Sequence, residues 1–439
     1  MDKIKIRKGL DIRLAGEPSK QLECFEPTSY AIKPTDFIGV VPKLDVAVGD
    51  EVKCGTVLFH DKNDERIVFT SPVSGKVKAI VRGEKRAILR VVVEADGKDE
   101  SIDFGTIETR HGTSLQSCTE LIDKMLRSGV WPMLRQRPYS TIANPSDRPK
   151  HIFVSMFDTG PLAPDNDFII ENQYDALAKG IDILSRLTDG NVYINVKHGS
   201  TTCKDAINRI STGIDNVIIT EFEGPHPTGN IGTQINAISP INKGEKMWYC
   251  YPQDVITIGN LFLKGIYDSS RIIAMTGSAA KNPHYYKTRI GADITPILDI
   301  EENSRVISGN VLTGTNITDD KYICFYDSQI TAIPEGNKYK LFGWLKPVFK
   351  RFTDTNTNTN GDTRPYIMTG EFERVFPFDI YPMQLIKACL IKDIDQMEEL
   401  GIYEVDAEDF ALCEVIDPSK TPIQQIIREG LEFIRKETS

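Results

Sequence analysis

The chain has 439 residues, a formal charge of −10 and eight cysteines. This length is enough for about three domains, and an acidic chain without a long basic block argues against nucleic acid or anionic lipid as the main partner. No apolar run approaches the roughly 18 residues of a membrane helix, residues 1–5 do not resemble a signal peptide, and no two cysteines form a C-x-x-C pair. We therefore expect a soluble cytoplasmic protein with reduced thiols and neither a disulfide framework nor a zinc site.

Residues 1–105 are rich in β-strand patterns and carry the clearest local motif. Residues 46–58 follow the pattern V-x-x-G-D-x-V-x-x-G-x-x-L, and residues 71–77 follow S-P-x-x-G-x-V. Glycines at 49, 55 and 75 predict turns between alternating strands. The two phrases resemble those of biotinyl and lipoyl domains, so we expect their barrel-sandwich fold. Lys62 lies outside the sequence setting of a modified lysine, and we interpret it as a solvated hairpin residue.

Residues 106–149 are predicted to form a helical connector that leads into the next domain. A helical spacing links Leu121, Met125 and neighbouring apolar residues. The segment then carries Trp131, Arg135 and Arg137 beside a turn. Two guanidinium groups and an indole can face an anionic or planar ligand. Alternatively, they pack the connector against the following sheet, because tryptophan is usually buried.

Residues 150–265 are predicted to form a Rossmann-like α/β domain with a parallel sheet. Apolar runs at 151–156, 191–196 and 216–220 are typical of buried parallel strands. Apolar residues spaced three or four apart between 174 and 187 predict a helix between the first two runs. We expect a second helix from Ser200 through Ile207 to Ile210, and a third over 252–264. Folds of this class commonly bind nucleotides.

The loop after the first strand, residues 157–167, lacks the chemistry of a pyrophosphate site. Such a site needs glycines that let backbone N–H groups approach the anion. Here the loop has the single glycine Gly160, and Pro161 and Pro164 have no N–H to donate. Asp165 and Asp167 at the helix start repel a phosphate. The sequence therefore predicts a nucleotide-type fold with a poor nucleotide site.

His226 lies between Pro225 and Pro227 and is a candidate acid or base. No carboxylate, serine or cysteine partner stands at an informative spacing, so a structural turn is the favoured alternative. His198 is interpreted in the same way, as the end of a strand.

The remaining chain divides into three parts. Residues 266–350 are predicted to form a small β-rich domain of the ubiquitin-like, SLBB type, residues 351–374 a polar linker, and residues 375–439 a helical domain with helices over 382–391 and 421–433. The spacing of ferredoxin cluster ligands falls on Ala407, Phe410, Cys413 and Asp417. Only one of these is a cysteine, so an iron–sulfur cluster cannot be held there, and Cys413 is expected to be a buried thiol.

The whole chain resembles the A subunits of the Na+-translocating NADH:quinone oxidoreductases (Na+-NQR). The order of several short phrases along the chain carries this resemblance, at 5–11, 82–86, 135–138, 158–163, 224–229, 305–309, 342–344 and 411–413. Related NADH- and flavin-binding subunits of respiratory dehydrogenases have the glycine loop and the cluster cysteines that are missing here.

The resemblance implies a peripheral subunit on the cytoplasmic face of the bacterial inner membrane. The complex would oxidise NADH, reduce quinone and export Na+, while other subunits, including a multispanning membrane subunit, hold the flavins, the iron–sulfur centres and the NADH site. We expect this chain to bind no flavin or cluster and to have a structural role. A quinone, which needs no phosphate cradle, is expected near Trp131, Arg135, Arg137 and His226. The alternatives are a free-standing NADH-dependent flavoprotein and a biotin or acyl carrier.

Overall fold

The structure, a computed structural model, describes residues 2–106, 118–200, 213–336, 357 and 365–438. Its strands, in chain order, are β1 (Asp2–Lys5), β2 (Ser19–Cys24), β3 (Ser29–Ile32), β4 (Pro42–Leu44), β5 (Glu51–Val52), β6 (Val57–Asp61), β7 (Val68–Thr70), β8 (Gly75–Arg82), β9 (Ile88–Ala95), β10 (Arg135–Arg137), β11 (Thr141–Ile142), β12 (His151–Ser155), β13 (Val192–Lys197), β14 (Val217–Glu223), β15 (Met247–Cys250), β16 (Ser270–Thr276), β17 (His284–Arg289), β18 (Ser304–Ser308), β19 (Thr315–Asn316) and β20 (Gln329–Pro334).

The helices lie mainly between the strands of the central sheet and at the C-terminal end of the described chain. They are α1 (Cys118–Arg127), α2 (Asn166–Ile169), α3 (Tyr174–Ser185), α4 (Ile231–Ile238), α5 (Pro252–Lys264), α6 (Pro382–Ile391), α7 (Ile394–Glu399), α8 (Ala411–Ile416) and α9 (Ile423–Thr438). The predicted helices over 252–264 and 382–391 are confirmed as α5 and α6. The helix expected from Ser200 through Ile207 to Ile210 lies outside the described residues.

The central sheet has seven strands in the order β1-β14-β13-β12-β15-β10-β11. The strands β1, β14, β13, β12 and β15 run parallel, which confirms the predicted parallel α/β architecture. The prediction of a helical connector is wrong for its second half, because β10 pairs antiparallel with β15 and β11 pairs antiparallel with β10. The segment of β10, Arg-Gln-Arg, has no apolar alternation, so nothing in it indicates a strand.

Helices α3 and α5 pack on the sheet with their backbones in close contact. A Cβ added at Gly259 would lie 1.8 Å from the carbonyl oxygen of Ala176, and one at Gly180 would lie 2.1 Å from that of Val255. The predicted apolar face of α3 is buried in this contact. Two glycines therefore allow these two helices to pack closely against each other.

The N-terminal region forms the expected barrel-sandwich from two small sheets, β3-β9-β8-β5 and β4-β6-β7. Phe59 and Phe69 stack in its core at 4.6 Å between ring centroids. Gly49 has a φ of 101° in the turn before β5. Gly75, which we predicted to form a turn, instead begins β8, where a Cβ would lie 1.9 Å from the carbonyl oxygen of Glu94.

The first 24 residues pair with strands outside the barrel-sandwich. Strand β1 joins the central sheet beside β14, and β2 joins the small β domain beside β17. The small domain is a six-stranded sheet in the order β19-β18-β20-β16-β17-β2. The domain boundaries that we placed at 105, 265, 350 and 374 remain proposals.

The C-terminal helices α6 to α9 enclose a separate apolar core around Leu385, Phe410 and Ile427. Helix α9 begins and ends slightly later than the predicted 421–433. Cys413 is fully buried in this core, as expected, and burial raises the pKa of its thiol. Most of the predicted polar linker lies outside the described residues.

Candidate functional site

A cavity of about 350 Å³ lies where the central sheet reverses its strand order. The chain passes from β12 through β13 to β14 on one side and returns to β15 on the other. The crevice beyond the carboxyl ends of such strands is where open α/β sheets bind ligands. Its walls come from β10, β15, the loop after β12, the segment after β14, the start of α5, the small β domain and the C-terminal domain. They include Arg135, Asp158, His226, Tyr249, Tyr251, Asp254, Arg271, Tyr326, Asp327, Asp406, Glu408 and Arg428.

The loop after β12 uses its own donors within the protein. The amide of Gly160 donates to the carboxylate of Asp158 at 2.7 Å. The carboxylate of Asp165 caps α2 by accepting from the amide of Asp167 at 3.0 Å, and it pairs with Lys20 at 2.5 Å. The helix start that would face a pyrophosphate in a nucleotide site therefore already holds a carboxylate.

Arg135 lies in the cavity wall within a cage of three tyrosines. Its guanidinium carbon is 4.2 Å from the ring centroid of Tyr326, 4.7 Å from that of Tyr249 and 5.3 Å from that of Tyr251. Its Nε atom is buried and has no hydrogen-bond partner among the described residues. Cation–π contacts stabilise the charge, while the N–H groups remain available to an acceptor in the cavity.

Arg137, two residues further along β10, has a different environment. It is 1% exposed and contacts Asp409 at 3.2 Å and Asp406 at 3.8 Å, as well as Glu408. Burial disfavours the charged guanidinium, but these carboxylates outweigh burial and raise the pKa of Arg137. Arg137 does not line the cavity; it binds the C-terminal domain to the central sheet.

Trp131 also does not line the cavity. It is fully buried, donates its indole N–H to the carbonyl of Ala143 at 2.7 Å and packs edge-on against Trp248. These contacts correspond to the packing alternative considered above.

His226 lines the cavity and is 3% exposed. Its backbone N–H donates to Asp11 at 2.9 Å, and its ring Nδ1 is 3.2 Å from the hydroxyl of Thr159. Burial lowers the pKa of His226 to about 4, so the imidazole is neutral near pH 7. His198, in contrast, lies near the edge of the sheet, 2.7 Å from Glu221.

Of the four residues predicted to bind a ligand, the structure brings Arg135 and His226 to one cavity and places Trp131 and Arg137 behind its walls. Sequence reasoning missed the tyrosine cage and the acidic lining, since they come from segments separated by up to several hundred residues. No group of three His, Cys, Asp or Glu side chains in the described ranges is arranged to hold a metal ion. Within the same ranges, no helix is long and apolar enough to cross a membrane.

Comparisons with protein-family models agree with this architecture between residues 4 and 319. Residues 4–96 match the NqrA N-terminal barrel-sandwich hybrid domain, residues 116–267 the NqrA second alpha/beta domain and residues 272–319 the NQRA C-terminal domain. A structure of a NAD+-reducing [NiFe]-hydrogenase aligns with 65% of this chain and 56% of its own at 11% identity, with a TM-score of 0.38.

Full-length relatives give the decisive similarity. A protein of Vibrio atlanticus is 38% identical, and proteins of Alcanivorax borkumensis and Yersinia pestis are each 35% identical; every alignment covers 99% of this chain and 100% of the relative. All three are named as the A subunit of a Na(+)-translocating NADH-quinone reductase. The resemblance inferred from the sequence is thereby confirmed, and the chain belongs to the NqrA family, the A subunits of the Na+-translocating NADH-quinone reductases.

Proposed function

We propose that the chain is a peripheral subunit, on the cytoplasmic face of the membrane, of a complex that oxidises NADH, reduces quinone and exports Na+. Its family membership supports a place in such a complex. In this proposal the flavins, the iron–sulfur centres and the NADH site belong to other subunits, and a multispanning membrane subunit is the main partner. The chain itself binds no flavin or cluster, and its main contribution is structural.

The main support for the proposal that this chain binds no flavin is the cavity at the position where such folds bind nucleotides. Its lining has five carboxyl side chains, those of Asp158, Asp254, Asp327, Asp406 and Glu408, and only three arginines. Two of these arginines are already paired, Arg271 with Asp254 and Arg428 with Asp406. A pyrophosphate would meet these carboxyl groups and would find the amide of Gly160 and the start of α2 occupied.

The same cavity suits a neutral, planar ligand better than a charged one. A quinone head group is flat, and its carbonyl oxygens accept hydrogen bonds. The guanidinium of Arg135 supplies N–H donors, and the tyrosine rings around it supply flat apolar surface. The volume of about 350 Å³ falls within the usual range of small-molecule sites, about 300–1,000 Å³. We therefore place a quinone contact at Arg135 and His226, with Trp131 and Arg137 supporting the wall.

Membership of the complex is tested by tagging this chain in its native host and solubilising the membranes gently. We expect membrane subunits to co-elute with Na+-stimulated NADH-to-quinone activity. A lone protein without activity would contradict the assembly. Flavin absorbance in the separately purified chain would contradict the cofactor-free part.

The quinone contact is tested by calorimetric titration of the purified chain with a soluble short-tailed ubiquinone. We expect Arg135→Met to weaken binding at least tenfold, or about 1.4 kcal/mol. Arg305→Met is the matched control, because Arg305 pairs with Glu335 and is not part of the cavity wall. Equal binding by wild type and Arg135→Met, or photolabelling confined to membrane subunits of the complex, would refute the site.

A further inference from the structure

A buried lysine and a buried cysteine meet between the barrel-sandwich region and the small β domain. Lys33 follows β3 directly and is 4% exposed, and Cys324 is 8% exposed. The Nζ atom of Lys33 lies 3.2 Å from the Sγ atom of Cys324, although the two residues are 291 positions apart in the chain. The same Nζ donates to the carbonyl of Tyr322 at 2.8 Å and to Asp320 at 3.3 Å, so the amine is held in place.

The surrounding groups can accept the protons that such a pair would lose. The Asp36 carboxylate accepts from the amide of Phe325, the residue after Cys324, at 2.8 Å. Burial raises the pKa of Cys324 to about 12 and that of Asp36 to about 6. Near pH 7 the sulfur is therefore a thiol beside an ionised carboxylate, which can act as its base.

The pair lies one layer behind the cavity described above. The hydroxyl of Ser308 accepts from the amide of Cys324 at 2.9 Å and donates to Asp327 at 2.6 Å, and Asp327 lines the cavity. Hydrogen bonds through Ser308 and Asp327 therefore connect the segment that carries the sulfur to the cavity wall.

We propose that Lys33 and Cys324 form an oxidative cross-linking site, at which peroxide converts their contact into a covalent Nζ–O–Sγ bridge. One hydrogen peroxide first oxidises the thiol to a sulfenic acid and leaves as water. A second hydrogen peroxide then oxidises the sulfenic acid together with the amine: the O–H bond of the sulfenic acid and one N–H bond break, the O–N bond forms, and the peroxide leaves as two waters. The thiol, the ammonium group and two hydrogen peroxide molecules thus give the bridge, three waters and one proton, which the carboxylate of Asp320, 3.3 Å from the Nζ atom, can accept.

The geometry favours this bridge over the usual products of cysteine oxidation. A disulfide would need a second cysteine close to Cys324. Among the described residues, no other sulfur forms a hydrogen bond with the Cys324 thiol. A direct S–N bond would require the two atoms to move closer together than an inserted oxygen does. Cys389 and Cys413 are also buried, but no lysine nitrogen in the described part of the chain contacts their sulfurs. The reactive feature is therefore the pair and not burial alone.

The test treats the full-length, folded chain with hydrogen peroxide and then measures its intact mass and its protease-generated peptides. We expect a gain of about 14 Da, from one added oxygen and two lost hydrogens, together with a cross-linked peptide that contains Lys33 and Cys324. Dithiothreitol should reverse both changes. Lys33→Arg and Cys324→Ser should abolish them, while Cys389→Ser, the matched control, should retain them.

The wild-type measurement decides the proposal even if a variant folds poorly. A mass gain of about 16 or 32 Da at Cys324 without a cross-linked peptide would show simple oxidation and would overturn the proposal. An unchanged Cys324, or a cross-link that persists in Lys33→Arg, would overturn it equally.

Discussion

Arg137→Met is expected to weaken the attachment of the C-terminal domain strongly. Methionine fills much of the same space but leaves Asp409 without its cation, and the Asp409 side chain has no solvent exposure. Removing one member of a buried ion pair typically costs about 3–5 kcal/mol, because the other charge stays buried and unpaired. Burial raises the pKa of Asp409 to about 7, with Arg137 opposing the rise. Without Arg137 the carboxyl can escape part of the penalty by protonation, so we expect the smaller cost at pH 6 and the larger at pH 8.

Asp409→Asn separates the effect of charge from that of packing. The folded pKa of about 7 lies above the ordinary value near 3.9, so the folded state binds the proton more tightly than the unfolded state. This contribution to stability is complete below about pH 4 and is lost as the pH rises through about 7. Asparagine cannot ionise, so the unfolding free energy of Asp409→Asn should fall less than that of wild type between pH 5 and pH 8.

The assay is guanidinium unfolding at pH 6 and pH 8, followed by far-UV circular dichroism, with limited trypsin digestion of the C-terminal helices in parallel. Arg305→Met is the control, since its partly exposed pair with Glu335 should contribute no more than about 1 kcal/mol. A loss below 1 kcal/mol for Arg137→Met at pH 8, or equal losses at both pH values, would refute the reasoning from buried charge.

Three further changes test the fold and the site. Gly259→Ala should lower the free energy of unfolding by about 1–3 kcal/mol, because the added methyl group overpacks against Ala176. Helix propensity alone would instead raise the free energy of unfolding by about 1 kcal/mol. The sign of the change measured by chemical denaturation distinguishes the two effects. Burial lowers the pKa of His226 in the folded state to about 4. Its contribution to stability is therefore complete above about pH 6.5 and is lost as the pH falls through about 4. In His226→Gln, the free energy of unfolding should fall less steeply than in the wild type as the pH is lowered. Trp131→Phe should cost about 1–3 kcal/mol in the same assay, because the carbonyl of Ala143 loses its buried donor.

The elements that could be predicted from the sequence are those whose residues meet the core at a regular period. Strand β12 and helix α5 were predicted nearly residue for residue, because continuous or periodic apolar positions are buried there. The barrel-sandwich was predicted for a different reason: its two phrases resemble those of biotinyl and lipoyl domains, and one of them contains Gly49, which has a positive φ in the turn before β5. Strand β10 and helix α4 were missed, because their positions are determined by partners far away in the chain.

The two arginines of β10 show where sequence reasoning stops. Arg135 and Arg137 are two residues apart and therefore lie on the same side of the strand. The sequence alone does not distinguish which of them contacts a ligand. The fold separates them: Arg137 meets Asp409, 272 residues away, while Arg135 meets the aromatic rings around the cavity. A charged partner from the protein makes the first a structural residue. Arg135 has no charged partner in the described chain, so its guanidinium is the cation that a ligand carbonyl can contact in the cavity.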